Sequence, residues 1–216
     1  MAQETDKALE AIPDNSDWAF YIQGDELIHE KYYENIRQAM LRWKDDDKVD
    51  GLLFSYEHFY GSFDYVATSP LWYRNEIRII RNNKRIYSYR DAQGFRKDNN
   101  QKLNVKQTDA YVYHYGWVRH PKFLQDKVRS YCQYWHTDEW MEKNVSAAEF
   151  DYSDIDALGR FEGTHPQIML ERINRINWTF DHDISKQNLP LKYKFKLFIK
   201  KLTGYHIFEY RNYKLI

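Results

Sequence analysis

The most constraining feature of the sequence is an unbroken apolar run, Trp18-Ala19-Phe20-Tyr21-Ile22, that leads directly into the polar turn Gln23-Gly24-Asp25-Glu26. Such a run is too short for a typical helix and too continuous for a strand with one face in water. It therefore predicts a central strand of a sheet that is covered on both faces. Because open α/β sheets bind ligands where such strands end, the polar turn is a candidate site.

Short strands and helices alternate over the first part of the chain. Further strands are predicted at 51–54, 76–81 and 110–114, and a short helix at 5–12. A second helix is predicted by apolar residues spaced three and four apart, namely Tyr32, Ile36, Ala39, Met40 and Trp43. This alternation predicts an α/β sheet region that extends to about residue 118.

After this region the sequence pattern predicts mostly helices. One helix is expected to open at Pro121, another after Pro166, and a third spans 191–202 and is stopped by Gly204. The apolar side of the first of these helices is predicted to consist of Leu124, Val128, Tyr131, Cys132 and Trp135. The chain is thus expected to divide at residues 118 and 119.

Composition limits the class of protein. The 216 residues are 43% hydrophobic, which is enough for a buried core and excludes general disorder. The 32 basic and 32 acidic residues cancel, so bulk charge does not favour nucleic acid as a partner. A single cysteine excludes an internal disulfide framework. With a polar N-terminus and no long apolar run, a soluble cytoplasmic protein is expected.

The turn after the first strand has the residue types of a cation or phosphate site. Asp25 and Glu26 are adjacent, so their side chains point in different directions and do not form a symmetric acid–base pair. One carboxylate aimed into a cleft can hold Mg²⁺ or Mn²⁺ together with diphosphate oxygens. Gly24 permits a close approach of the backbone. A solvated acidic turn is the alternative interpretation.

Residues 18–26 are similar to the strand and Asp-x-Asp element of family 2 glycosyltransferases, which have the GT-A fold, with Gln23 in place of the first Asp. Further similar segments follow in the same order along nearly the whole chain: 3–9, 56–61, 76–81, Tyr89-Arg90-Asp91, Tyr113-His114-Tyr115-Gly116, Tyr152 to Asp156, Gly163-Thr164-His165-Pro166 and Tyr210-Arg211-Asn212-Tyr213. The last three resemble a bacterial subgroup. The resemblance implies a partial GT-A-like mixed sheet flanked by helices at 1–118, with a helical extension, 119–216, packed on it.

The same resemblance implies an inverting glycosyltransferase of cell-surface polysaccharide biosynthesis. It would transfer a sugar from a nucleotide-sugar donor to the hydroxyl of a glycan or a lipid-linked acceptor. The donor would be held by Gln23, Gly24, Asp25, Glu26 and Arg78. Mn²⁺ or Mg²⁺ would be held by Asp25 and His114. For His114 the alternative is a strand-end histidine that bonds to backbone.

The base that takes the acceptor proton would be Asp91, with Glu76 as the second candidate. Arg90 could instead make Asp91 a surface ion pair, and Glu76 could simply begin a strand. The acceptor side would be lined by a loop with Tyr56, Glu57, His58, Tyr60 and Gly61, and Trp72 could stack on a sugar face. Because aromatic residues make up 18% of the chain, packing is the alternative role for each aromatic side chain.

Two departures from the family pattern matter. Gln23 removes one negative charge, so the metal affinity should fall. Only about two dozen residues precede Asp25, fewer than in one βαβ unit of about 30 residues, so most of the N-terminal nucleotide-binding part is expected to be missing. We therefore expect self-association or a compensating partner, and no nucleic acid partner. The alternative function is a catalytically incomplete GT-A remnant that binds glycan or protein.

The helix predicted at 191–202 is basic and amphipathic. It is expected to bury Leu191, Phe195, Phe198, Ile199 and Leu202 and to expose its lysines. Such a helix can lie on an anionic membrane, which would suit a lipid-linked acceptor at the inner face of the membrane. An ordinary surface helix is the alternative.

Overall fold

The computed structural model describes residues 2–90, 94–204 and 210–216. The fold is α/β, with a mixed sheet and helices. The described helices are α1 (Ala2–Glu10), α2 (Tyr33–Trp43), α3 (Pro121–Cys132), α4 (Asp138–Val145), α5 (Leu170–Asn174) and α6 (Leu191–Thr203). The strands are β1 (Trp18–Phe20), β2 (Glu26–Ile28), β3 (Gly51–Tyr60), β4 (Tyr65–Ala67), β5 (Asn75–Arg81), β6 (Ile86–Ser88), β7 (Phe95–Lys97), β8 (Gln101–Lys102), β9 (Asn104–Trp117), β10 (Leu158–Arg160) and β11 (Lys214–Leu215).

Two compact units alternate along the chain. The first comprises the described residues of 1–57, 73–113 and 208–216, and the second those of 58–72 and 114–207. The long strands β3 and β9 each contribute residues to both units. The sequence-based division at residues 118 and 119 remains a prediction.

The first unit is built on a mixed sheet. In it β5 pairs antiparallel with β1 on one side and with β3 on the other, while β11 pairs parallel with β9. Leu53, Ile77 and Ile80 pack on one face of this sheet, and Leu52, Phe54 and Ile79 pack on the other. The sheet is therefore covered on both faces, as the apolar strands predict. A small antiparallel sheet, β6-β7-β8, belongs to the same unit.

The position predicted for the first strand is wrong. Among the described strands β1 pairs only with β5, so it lies at an edge of the sheet, and Phe20 and Ile22 remain 47% and 44% exposed. The strand is apolar along its whole length because successive side chains pack against different parts of the unit. Ala19 enters the core, Trp18 donates its indole N–H to the Met40 carbonyl, and Phe20 stacks on Phe54.

Periodicity predicts several other elements correctly. Helix α2 forms with Ile36 buried, β5 matches the strand predicted at 76–81, and α6 ends at Gly204 in the left-handed conformation, with φ of 72°. The predicted loop at 56–61 is wrong, because β3 continues through Tyr60. Its polar residues interrupt the apolar pattern without ending the strand.

The second unit has an aromatic core. Tyr60, Tyr65 and Tyr152 are buried there, and Phe180 packs edge-on against Tyr65 with ring centroids 5.1 Å apart. Strand β4 pairs antiparallel with β10 and with the end of β3. Packing thus accounts for many of the aromatic side chains of this unit.

The apolar side predicted for α3 is only partly correct. Leu124 is buried and Val128 packs on the core of the second unit, but Tyr131 and Trp135 are more than half exposed. The helix has ended before Trp135, so the helical spacing that linked these residues no longer applies there. No helix within the described ranges is both long and apolar enough to cross a membrane.

Candidate functional site

The polar turn at 23–26 is closed by two hydrogen bonds in the first unit. The backbone N–H of Glu26 donates to the Gln23 carbonyl over 3.0 Å, and the Gln23 N–H donates to Oε2 of Glu26 over 3.1 Å. Glu26 also begins β2, so the turn is fixed to the sheet at this residue. The sequence feature that suggested a site is therefore a defined turn.

The Glu26 carboxylate is buried and fully hydrogen-bonded. Arg78 donates to both of its oxygens, from Nε over 2.9 Å and from Nη2 over 2.7 Å. The Tyr56 hydroxyl donates over 2.8 Å, and the Gln23 N–H completes the set. A carboxylate accepts about four hydrogen bonds, so all of its acceptor capacity is used within the protein.

Arg78 is equally enclosed. Its guanidinium lies 5.3 Å from the ring centroids of both Tyr21 and Tyr56, and it also donates to the carbonyl of Ile77. The side chains of Arg78 and Glu26 are 3% and 0% exposed. A buried ion pair is tolerated when both partners are fully hydrogen-bonded. Two of the five residues predicted to bind the donor, Glu26 and Arg78, thus form a buried pair under the turn.

The buried pair of Glu26 and Arg78 supports the rest of the turn, residues 23–25. Gly24 is exposed, and a Cβ added to it would meet no atom within 4 Å. Gln23 and Asp25 are half-buried. Asp25 is the second carboxylate of the turn, next to the buried Glu26. Gln23, Gly24 and Asp25 are therefore the residues of the predicted donor turn that keep exposure to solvent.

A second carboxylate, Glu76, lies on the neighbouring strand β5. Its Oε2 atom is buried and makes no hydrogen bond to any described residue. Burial raises the pKa of Glu76 to about 7, an effect that the charge of Arg78 opposes and that of Glu26 increases. An unpaired buried oxygen with such a pKa is unusual in a purely structural carboxylate.

Gly94 and Asn212, which were not predicted as site residues, lie beside Glu76. Gly94 has φ of 114°, and a Cβ placed on it would overlap the side-chain amide of Asn212 and lie 3.5 Å from Oε2 of Glu76. Arg96 donates to the backbone carbonyl of Asn212 and so fixes this segment beside the carboxylate. The motif at 210–213 has no predicted role, because Asn212 is far from Gly94 and Arg96 along the chain and the sequence does not reveal their contact.

Glu57 occupies a third position in the first unit. Burial raises its pKa, and the charge of Lys31 opposes that effect. Lys31 itself donates to the Tyr113 hydroxyl over 3.3 Å. Glu57 therefore lies in a partly desolvated, polar setting on β3, where it could bind a hydroxyl-rich ligand.

The remaining predicted acceptor residues, and His114, belong to the second unit. Nδ1 of His58 lies 3.0 Å from Nδ1 of His114, so one ring donates and the other accepts. The Trp72 ring packs 5.1 Å from the ring of His58. Tyr60 is buried in the aromatic core. Gly61 has φ of 72°, and its Cα faces the ring of Phe180.

The predicted metal ligands are distributed over both units, Asp25 in the first and His114 in the second. Within the described parts of the chain, no three His, Cys, Asp or Glu side chains form a group that could hold a metal ion. A single carboxylate is sufficient only for a cation whose other ligands are diphosphate oxygens and water, as is usual for Mg²⁺ with nucleotides.

Asp91, the preferred base of the sequence analysis, lies outside the described residues. Comparison with models of known protein families finds no match for this chain, and comparison with curated proteins finds none either.

Proposed function

We propose that this chain is an inverting glycosyltransferase that moves a sugar from a nucleotide-sugar donor to a hydroxyl of a glycan or lipid-linked acceptor. The observation that carries the proposal is that three carboxylates in the first unit have different surroundings. Glu26 is fully committed to fixing the turn, Asp25 is the other carboxylate of this turn, and Glu76 keeps an oxygen without a hydrogen-bond partner among the described residues. Together with the resemblance of 18–26, this arrangement supports a donor turn with a nearby base.

On the donor side, Gln23, Gly24 and Asp25 would meet the diphosphate. The absence of a side chain at Gly24 leaves room for phosphate oxygens to approach the backbone. Asp25 would hold Mg²⁺ or Mn²⁺ together with those oxygens. The cation would supply Lewis-acid stabilisation of the departing nucleoside diphosphate. Arg78 and Glu26 would act from beneath the turn by holding it in shape.

On the acceptor side, Glu76 is the base that the geometry supports best. The acceptor oxygen forms a bond to the anomeric carbon, the bond from that carbon to the diphosphate oxygen breaks, and the nucleoside diphosphate leaves with the electron pair. The hydroxyl proton passes to the carboxylate of Glu76. A carboxylate with a pKa of about 7 balances availability and basicity at neutral pH. Asp91 remains the second candidate for this role.

One observation favours the alternative function, a catalytically incomplete GT-A remnant that binds glycan or protein. Gln23 replaces an acidic residue and Glu26 is saturated internally, so the outer turn offers a single carboxylate to a cation. Such a site would bind the metal–diphosphate unit weakly. A remnant would keep the fold and the aromatic surfaces without transferring sugar.

Calorimetry with a panel of sugar nucleotides in the presence of Mn²⁺ tests the proposal. Wild-type protein should bind at least one donor, and chelation of Mn²⁺ or the substitution Asp25→Asn should weaken that binding about tenfold or more. Asp47→Asn, in an exposed position of the same unit, is the matched control and should leave binding unchanged. Donor binding that survives Asp25→Asn would contradict the role of Asp25, and the absence of any binding would favour the remnant.

Transfer itself is measured as release of nucleoside diphosphate in the presence of acceptor. Glu76→Gln should lower the rate by about 10²–10⁴-fold while donor binding is retained, because a general base contributes on that order. Retention of the full rate in this variant would shift the role of base to Asp91.

A further inference from the structure

Helix α6 (Leu191–Thr203) presents an apolar stripe to solvent. Leu191, Phe195, Phe198 and Leu202 are 84%, 58%, 56% and 66% exposed. The sequence prediction that this helix buries these residues is therefore wrong. Four large apolar side chains at successive turns of one helix are far more than the scattered exposed residues of an ordinary surface.

The four residues form one continuous line. Their spacing of four, three and four places them within an arc of about 60° on a helix with 3.6 residues per turn. Tyr193 and Leu197 lie on the other side of the helix and are half-buried. The stripe therefore lies on the side of the helix opposite to these two residues and faces solvent.

Lysines border this stripe. The helix carries Lys192, Lys194, Lys196, Lys200 and Lys201 and has no acidic residue. By helical geometry Lys192 lies on one side of the stripe, and Lys194 and Lys201 lie on the other. Among the described residues, Lys192, Lys194 and Lys201 enter no ion pair, and Lys192 lies over the ring of Tyr193. The positive charge along both borders is therefore available to an external partner.

We propose that α6 docks this protein on an anionic lipid surface. An apolar stripe that enters the boundary between headgroups and acyl chains, with lysines that reach back to anionic headgroups, is the arrangement by which interfacial helices bind membranes. Polybasic segments are held at such surfaces by the negative potential of anionic lipids.

Charge decides between a membrane and a second copy of this chain as the partner. Two copies of α6 packed stripe to stripe would bring ten lysines together and no carboxylate of the helix to balance them. Anionic lipid headgroups supply negative charge on both borders of the stripe. This inference does not depend on sugar transfer, although it would keep a glycosyltransferase beside a lipid-linked acceptor.

The test is co-sedimentation of the full chain with lipid vesicles. Wild-type protein should bind vesicles of phosphatidylglycerol mixed with phosphatidylcholine, and binding should weaken in high salt because the charges are screened. Vesicles of phosphatidylcholine alone should bind much less. Equal binding to both kinds of vesicle, or binding to neither, would overturn the proposal.

Variants assign the binding to the stripe. Phe195→Ser with Phe198→Ser should reduce binding about tenfold or more, since two interfacial anchors are lost. Phe123→Ser removes an equally exposed phenylalanine from α3 and should leave binding unchanged. Because all three side chains are exposed, circular dichroism should show an unchanged fold. Unaltered binding in the double variant would contradict the assignment.

A charge variant and a sizing measurement complete the test. Replacement of Lys192, Lys194 and Lys201 by Gln should remove the salt-dependent part of the binding. If size-exclusion chromatography instead showed a dimer that the double Phe variant dissolves, the stripe would be a contact between copies and the lipid proposal would be wrong. Transfer to a soluble acceptor should be unaffected by any of these substitutions, which separates this proposal from that of the enzyme.

Discussion

At the scale of single residues, the candidate site rests on carboxylates that have different partners. Glu26 accepts hydrogen bonds from Arg78, Tyr56 and the backbone of Gln23, whereas Oε2 of Glu76 accepts none from the described residues. Both are glutamates on neighbouring parts of the first unit. Only their surroundings distinguish the glutamate that supports the turn from the one that we propose as the base.

Removal of the Glu26 charge should be costly. In Glu26→Gln the buried guanidinium of Arg78 loses its counter-ion, so the free energy of unfolding should fall by about 3–5 kcal/mol, as measured in urea. Glu34→Gln is the control, because Glu34 and Arg37 form a similar two-pronged pair on the exposed face of α2. That variant should unfold like the wild type. Equal effects of the two substitutions would contradict a supporting role for Glu26.

The pH dependence of stability should report Glu76. The pKa of this carboxyl is raised from 4.5 to about 7 in the folded state, so between these values the folded protein binds more protons than the unfolded chain. Stability conferred by the protonated carboxyl is therefore present below pH 4.5 and is lost as pH rises through 7, by an amount on the order of 3 kcal/mol.

Glu76→Gln should abolish this loss. Its melting temperature should match that of the wild type near pH 4 and exceed it at pH 8, when the two proteins are compared in parallel thermal scans. A constant difference between the two proteins over this range would show that Glu76 does not titrate as described. Asp47→Asn should give no such pH-dependent difference.

At the scale of elements, two glycines named as site residues, Gly61 and Gly24, differ in whether a side chain could be added to them. Gly61, at the end of β3, has positive φ and lies against the ring of Phe180, whereas Gly24 faces open space. Gly61→Ala should destabilise the protein by roughly 1–3 kcal/mol through strain and overlap, while Gly24→Ala should leave unfolding unchanged. Chemical denaturation of both variants measures this difference, and a tolerated Gly61→Ala would contradict the packing at this corner.

The elements also show how far sequence reasoning reaches. The spacing of apolar residues predicts α2, β5 and α6, since each has one side that must be buried or partnered. It fails for β3, where Glu57 and His58 interrupt the pattern although the strand continues to Tyr60. It also fails for the stripe of α6, because amphipathic spacing identifies an apolar face without identifying what covers it.

The candidate site, like the secondary structure, was predictable only in part. The turn at 23–26 and Glu76 stand out in the sequence because polar residues adjoin apolar strands. The inward direction of Glu26 was not predictable, since it depends on Arg78 and Tyr56 from two other strands. The contact of Gly94 with Asn212 was concealed for the same reason: it joins segments that are far apart along the chain.

At the scale of the whole molecule, the first unit depends on residues from distant parts of the chain. Strand β11 pairs parallel with β9, and the N–H groups of Lys214 and Ile216 donate to the carbonyls of Leu103 and Val105. Removal of residues 214–216 should destabilise the first unit by about 1–3 kcal/mol, because two backbone hydrogen bonds are lost. Hydrogen exchange should then accelerate around Asn104 and Val105.

The substitution Lys214→Ala keeps the backbone of β11 and is the matched control, so its exchange rates should stay close to those of the wild type. Faster exchange in this control, or unchanged exchange after the deletion, would show that β11 adds little to the first unit.

The parallel pairing of β11 with β9 also sets an order of events on the ribosome. The sheet of the first unit cannot be completed until residues 114–207, the larger segment of the second unit, have been synthesised, because β11 follows them. Nascent chains fold domain by domain as they emerge, so the partner position beside Asn104 and Val105 stays open during that interval. An open strand edge is a site for chaperone contact or for misassembly with a neighbouring chain on the same messenger RNA.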